Sequence, residues 1–429
     1  LTTSFTIENT EELKLKLLHW SNQFDCVCAL DSHDDSRFDQ QFSFVIAIDA
    51  IDFFAITPVN LSQFEPWANA QKGILFGHFK YELNHSQHHI AIKENNESLG
   101  FFFAPRYLIE IKDNKIFFNR NYPEAFDLLE RIKAIALLPS SNKSINIQLA
   151  KNKSKEAYVS DIEDIKKKIE AGTFYEINYC MEWHQDYAVI DPISVFYQLN
   201  NAARAPFSAF LKIKDWYTLC ASPERFMQKK GKKLIAQPIK GTVRRDKTDP
   251  NHDEQLKTKL YQSLKERAEN IMIVDLMRHD LTPFAVPGSI QVRELFGIYP
   301  FEYVHQMIST IEATLIENED GIKAFLYAFP PGSMTGAPKH EVMKHIEQYE
   351  SFKRGIFSGS IGYIDENKDF DFNVVIRSIF YNSTMQYLSV KSGGAITYES
   401  DPEAEYEECL LKSASLIQAL ETSQIFQPK

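Results

Sequence analysis

Cysteine is scarce in this sequence. There are five in 429 residues, Cys26, Cys28, Cys180, Cys220 and Cys409. An odd, scattered set argues against a disulfide framework and fits a reducing, cytoplasmic setting. Cys26 and Cys28 form a C-x-C with no second pair at zinc spacing, and the alternating run CVCAL reads as a strand. Positive charge is also in deficit, with 47 Lys+Arg against 58 Asp+Glu and a net charge of −11. Such a chain lacks the basic face that nucleic-acid binding needs. No apolar run reaches the roughly 18–20 residues of a membrane span. The first residues, LTTSFTIENTEELKLKL, lack the pattern of a signal peptide; they begin at Leu1 rather than Met, so the natural start can lie upstream. Neither G-x-G-x-x-G nor G-x-x-x-x-G-K-[ST] occurs, which removes the common nucleotide cradles. There is no internal repeat and no low-complexity tract.

What is present is apolar and aromatic. The hydrophobic share is 44% and the aromatic share 13%, enough for a large core and too much for a disordered chain. Residues 1–138 hold the strand-like runs 42–49, 53–59, 73–79, 107–111 and 115–118, with helices expected at 9–19 and 123–137. The polar stretch 139–154 is the best linker. This divides the chain into a strand-rich part, 1–140, packed into a common fold, and a larger part, 155–425. In the latter, Val159, Ile162, Ile165 and Ile169 recur at helical spacing before Gly172. One long helix is expected over 251–281 and another over 402–420. The runs YTLCAS, KLIAQPI, GSIGYI, FNVVIRSIF and YLSVKSGGAI read as strands. Strands and helices mixed without strict βαβ alternation indicate α+β.

Several residues can carry chemistry. Glu266 and Glu269, three apart on a helix, share one face, and Glu405 and Glu408 repeat the arrangement with Lys412 beyond. Each pair alone is an ordinary solvated helix face. Two pairs that converge need a cation between them, and oxygen-only ligation suits Mg²⁺. Lys240, in PIKGT (238–242), lies on a stiff segment, where burial is expected to lower its pKa and free its amine as a nucleophile; the plain alternative is an exposed loop lysine. The Pro/Gly-rich PPGSMTGAPK (330–339) leads into a helix and could hold an anion on backbone N–H groups. SGGAI (392–396) offers close backbone approach, and Arg377 at a strand end could grip a carboxylate. The histidines of HSQHH (85–89), the run FFF (101–103) and KKGKK (229–233) read respectively as a polar loop, core residues and a hairpin turn.

These motifs together resemble the chorismate-utilising enzymes, the family of anthranilate synthase component I. The resemblance is carried by SPERF (222–226), PIKGT (238–242), ENIMIVDLMRHDL (269–281), VHQMIST (304–310), GSMTGAPK (332–339), GSIGYI (359–364), VVIRS (374–378) and EAEYEECLLKSA (403–414). It extends more weakly to residues 77–83, 101–111 and 169–179. It implies an α+β fold of two antiparallel β-sheets packed as a sandwich with flanking helices. It implies a Mg²⁺ site at Glu266, Glu269, Glu405 and Glu408. Arg377, Thr242, Lys412, Gly336 and the backbone of Gly393 and Gly394 would contact chorismate.

Lys240 points to the para-aminobenzoate branch, because anthranilate synthases read PIAGT at this motif. In that branch the lysine amine adds to C2 of chorismate as the C4 hydroxyl leaves, and Glu224 of SPERF matches the acid that protonates it. Ammonia then adds at C4 and expels the lysine, giving 4-amino-4-deoxychorismate for para-aminobenzoate and folate synthesis. A separate glutamine amidotransferase would supply the ammonia and a separate lyase would act on the product, since 429 residues leave no room for either as a fused part. Four positions depart from the pattern. His279 replaces Asn, Gln306 a frequent His, Glu176 the usual Gln and Phe357 a frequent Tyr. The alternatives are anthranilate synthase component I, or a non-catalytic chorismate-binding subunit.

Overall fold

The computed structural model describes residues 3–85, 98–119, 124–139, 147–421 and 426–428. His88 and His89 and residues 140–146 of the expected linker lie outside the described residues. The strands form two large antiparallel sheets. The first runs, neighbour by neighbour, Lys115–Phe118, Gly100–Lys112, Phe44–Ile56, Cys26–Asp31, Phe207–Ile213, Trp216–Ser222, Ser378–Asn382, Tyr387–Ile396, Glu176–Gln185. The second leaves Gly100–Lys112 through Leu75–Phe79. It continues as Ser360–Ile364, Phe370–Asn373, Arg225–Lys230, Lys233–Gln237 and Val304–Thr314, which also pairs with Ile239–Arg244 and Gln291–Pro300. The α+β sandwich expected from the resemblance is what the chain adopts.

Strand periodicity shows how the layers pack. Val27 and Ala29 join one buried cluster with Phe44, Ile46 and Ile48, and with residues of the helices Thr10–Ser21, Lys155–Glu170 and Pro192–Ala203. Their alternates Cys28, Val45 and Ala47 join a second cluster with Phe76, Phe102, Met227, Ala236 and Phe372 of the other sheet. Successive strand side chains point to opposite faces, so both faces of the first sheet are covered, one by helices and one by the second sheet. The CVCAL run is a buried strand, and all five cysteines are free and buried.

Five of the expected readings change. The runs 42–49 and 53–59 are one strand, Phe44–Ile56, with a register shift between Ala50 and Asp52 and Asp49 at a positive φ. A bulge bends a strand without ending it, so this strand takes part in both sheets. The helix expected over 251–281 is two, Pro250–Gln262 and Leu264–Leu281. Ser263 between them is extended, and its hydroxyl caps the second by accepting from the Glu266 N–H. KLIAQPI is interrupted at Pro238, which has no N–H to give the ladder. FNVVIRSIF breaks into Phe370–Asn373 and Ser378–Asn382 around Arg377, whose φ is +53°. The helix expected over 123–137 is shorter, Ala125–Lys133.

Candidate active site

Three of those interruptions open onto the same cavity. It is lined by Glu224, Lys240, Thr242, Glu266, Glu269, Arg377, Gly393, Glu405, Glu408 and Lys412 among the residues singled out by sequence, and by Asn178, Lys265, Gln306, Ser333, Phe357 and Lys391 besides. The strand Ile239–Arg244 brings Lys240 in. A register shift between Ile239 and Thr242 against Val304–Thr314 swings its Lys240–Gly241 segment towards the helix Leu264–Leu281. Gly241 has φ +96°, and a Cβ there would stand 3.0 Å from Glu266 Oε2. Glycine is required both by the backbone and by the closeness of that carboxylate.

Lys240 is buried and donates to Glu176 Oε1 at 2.7 Å, while Glu176 Oε2 is buried without a hydrogen-bond partner among the described residues. Burial works to lower the Lys240 pKa, but the charges of Glu176 and then Glu269 outweigh it, and the net shift is upward. The lowered value expected from burial alone is therefore corrected: the resting lysine is an ammonium. Glu224 sits in the short connection after Trp216–Ser222. It is buried, and its Oε1 accepts from Ser333 Oγ at 2.6 Å and more weakly from the Ile239 N–H at 3.4 Å. Burial pushes its pKa up to about 7, against the pull of Ser333, Ile239 and Lys240. A carboxyl in that state can donate a proton at neutral pH.

The two acidic helices face each other across the cavity. Lys265 Nζ lies 3.3 Å from Glu405 Oε1 and 3.9 Å from Glu269 Oε1, and Lys412 Nζ lies 2.7 Å from Glu408 Oε1. Ser400 Oγ also donates to Glu405 at 2.8 Å. Glu269 is buried, and among the described residues its Oε1 has no hydrogen-bond donor. Burial, with Glu176 and Glu266 nearby, pushes its pKa up to about 8 despite Lys240. Glu266 is raised by burial and by Glu408, whereas Lys412 holds Glu408 below its usual value against the effect of burial. Among the described residues no three carboxylate, imidazole or thiol groups close on one point at metal-ligand distances. The donor set nevertheless fits a hard cation in kind. It is oxygen-only, it lines one cavity, and it includes a buried carboxylate oxygen with nothing to satisfy it.

Arg377 is half-buried, and among the described residues its guanidinium has one hydrogen-bond partner, the Lys412 carbonyl at 3.4 Å. Lys412 also donates to the Gly393 carbonyl at 3.0 Å, and a Cβ on Gly394 would stand 3.0 Å from Glu405 Oε2. Gly336 does not line the cavity. It pairs with Ile177, has φ +136°, and a Cβ there would be 2.1 Å from the Glu176 carbonyl oxygen. Its place is to let the strand Glu176–Gln185 come close. Of the four departures, Gln306 and Phe357 line the cavity and Glu176 holds Lys240, but His279 is exposed on the far side of its helix. Asn178, Ser333, Lys265 and Lys391 were not singled out by sequence. Alternation along EINYCM places Asn178 on the face of Glu176, and Ser333 belongs to GSMTGAPK. Lys265 and Lys391 carried no comparable signal.

The sandwich and the cavity built on its broken strands define a class. Residues 15–418 match the chorismate binding enzyme family, and the chain belongs to it. The chain is 40% identical over 264 residues to aminodeoxychorismate synthase component 1 of Salmonella typhimurium, covering 62% of this chain and 57% of the relative. It is 38% identical over 283 residues to the protein of the same name from Escherichia coli, covering 66% and 62%. The matched part thus spans less than two thirds of these relatives' length. The solved structure of the menaquinone-specific isochorismate synthase of Escherichia coli superposes with a TM-score of 0.76 over 98% of this chain and 94% of that one, at 17% identity. Among the described residues no helix is long and apolar enough to cross a membrane.

Proposed function

We propose that this chain aminates chorismate with ammonia to 4-amino-4-deoxychorismate. The observation that carries the reading is the placement of Lys240. A buried primary amine stands in the cavity with a protonatable carboxyl, Glu224, lining the same space. That combination supplies a nucleophile and a proton for a leaving hydroxyl. The names of the bacterial relatives support the amination reading over formation of anthranilate. Arg377, half-buried with a single weak partner among the described residues, is suited to a substrate carboxylate, with Lys412 and Thr242 lining the same cavity. Glu266, Glu269, Glu405 and Glu408 would hold Mg²⁺, which when bound would anchor a second carboxylate against an otherwise acidic wall. Lys240 attacks the ring, Glu224 protonates the departing hydroxyl, and ammonia from a separate glutamine amidotransferase displaces the lysine.

The test is product identification. Chorismate, Mg²⁺ and ammonium at alkaline pH should yield a product that added aminodeoxychorismate lyase converts to para-aminobenzoate. Fluorescent anthranilate formed without the lyase, or no product beside an active lyase control, contradicts the proposal.

A further inference from the structure

The mechanism above leaves unused a buried ionisable group in direct contact with the reacting amine. Glu176 is fully buried, and its carboxylate touches the reacting nitrogen itself, Oε1 to Lys240 Nζ at 2.7 Å. The other carboxylates whose charges couple to Lys240, those of Glu269, Glu224, Glu266 and Glu408, make no hydrogen bond with it among the described residues. Glu224 is already engaged by Ser333 and Ile239. Glu176 Oε2 has no partner among the described residues. The backbone of Glu176 is fixed by the pairing of Gly336–Ala337 with Glu176–Ile177, so the carboxylate is held at the amine by a strand rather than a loop.

We propose that Glu176, standing where the family usually has Gln, serves as a general base particular to this chain, taking the proton that Lys240 must lose to become a nucleophile and returning it when the lysine leaves. This rests on the amination reading. The protons balance over a turnover. Lys240 gives a proton to Glu176 and bonds to C2. The two ring double bonds each shift by one position, the C4–O bond breaks, and the hydroxyl leaves as water with the proton of Glu224. Ammonia then bonds to C4 and gives a proton to the Glu224 carboxylate. The double bonds shift back, the C2–N bond breaks, and Lys240 recovers its proton from Glu176. Both carboxyl groups end as they began, one protonated and one ionised. Burial makes Glu224 the acid, outweighing the hydrogen bonds from Ser333 and the Ile239 N–H that favour its ionised form, whereas the Glu176 carboxylate accepts from an ammonium.

The test uses Glu176→Gln and Glu176→Asp in the full chain, with ammonium as the nitrogen source. Glu176→Gln should lower kcat about a hundredfold, the usual scale for losing a general base, with KM for chorismate changed by less than about threefold. Glu176→Asp should recover part of the loss. In parallel, reductive methylation of Lys240, read by peptide mass spectrometry, should move to lower pH in Glu176→Gln by about one unit or more, because the paired charge is gone. A folded Glu176→Gln with near-normal kcat overturns the proposal. An absent methylation shift in an enzyme that still aminates chorismate overturns the Glu176 assignment alone. No product from the wild type beside an intact methylation shift overturns the amination reading instead.

Discussion

Lys240, Glu176 and Glu224 come from three different strand regions, and each alters what the others can do. Burial alone would make Lys240 a neutral amine, yet Glu176 at 2.7 Å holds it charged. Burial keeps a substantial share of Glu224 in its acid form near neutrality, with a pKa of about 7. Its acid form is lost as pH rises past that value, so the limb of the kcat profile that falls above about pH 7 should belong to Glu224. Glu224→Gln should lower kcat by about 10²–10⁴-fold and remove that limb; an unchanged alkaline limb in the variant would refute the assignment. The residues were legible to different degrees. Glu224 and Lys240 stood out in SPERF and PIKGT. The sign of the Lys240 shift did not, because the carboxylate that sets it lies 64 positions away and reaches it only through folding. His279, which broke its motif visibly, is exposed and away from the cavity, so a departure in sequence was no guide to its place.

At the scale of elements, the site is made where regular structure stops. Pro238 ends one strand, Ser263 separates two helices, and Arg377 at positive φ leaves its ladder. The strand and helix patterns were readable as periodicity, but the breaks were not, since KLIAQPI and FNVVIRSIF are each rich enough in apolar residues to read as one strand. Ser263 starts the helix that carries Glu266 and Glu269. Ser263→Ala should cost about 1 kcal/mol, the usual price of an N-cap, measured by urea unfolding; no loss would show that the cap is made by other groups. The paired acidic helices give a second expectation. Ionised carboxylates bind Mg²⁺ and protonated ones do not. Since Glu269 carries a pKa of about 8, added Mg²⁺ should raise the melting temperature more above that pH than about two units below it. Glu269→Gln should remove most of the difference. Equal stabilisation at both pH values, or in the variant, would argue against carboxylate ligation. The sign is that of proton release: a raised carboxyl pKa makes binding tighter as pH rises.

On the scale of the whole molecule, the chain is interleaved rather than divided. Cys26–Asp31 pairs with Phe207–Ile213, and Leu75–Phe79 with Ser360–Ile364, so strands from the first 118 residues sit inside both sheets. Composition alone could not show this, because each half has its own apolar runs and the polar stretch between them looks like a boundary. A fragment beginning at residue 147 would expose the apolar edges and faces that these strands cover. It should be insoluble or unfolded alone and recover solubility when co-expressed with residues 1–139, as judged by size-exclusion chromatography. A monomeric fragment that unfolds cooperatively alone would refute this.

The central claim is that Lys240 bonds to the substrate, and mass spectrometry of the denatured protein tests it most directly. With chorismate and Mg²⁺ but no ammonia, an adduct of chorismate less one water should accumulate on the peptide containing Lys240, disappear when ammonium is added, and be absent from Lys240→Ala. Amination proceeding in the same preparation with Lys240 never modified, or in Lys240→Ala at near-normal rate, would contradict the account.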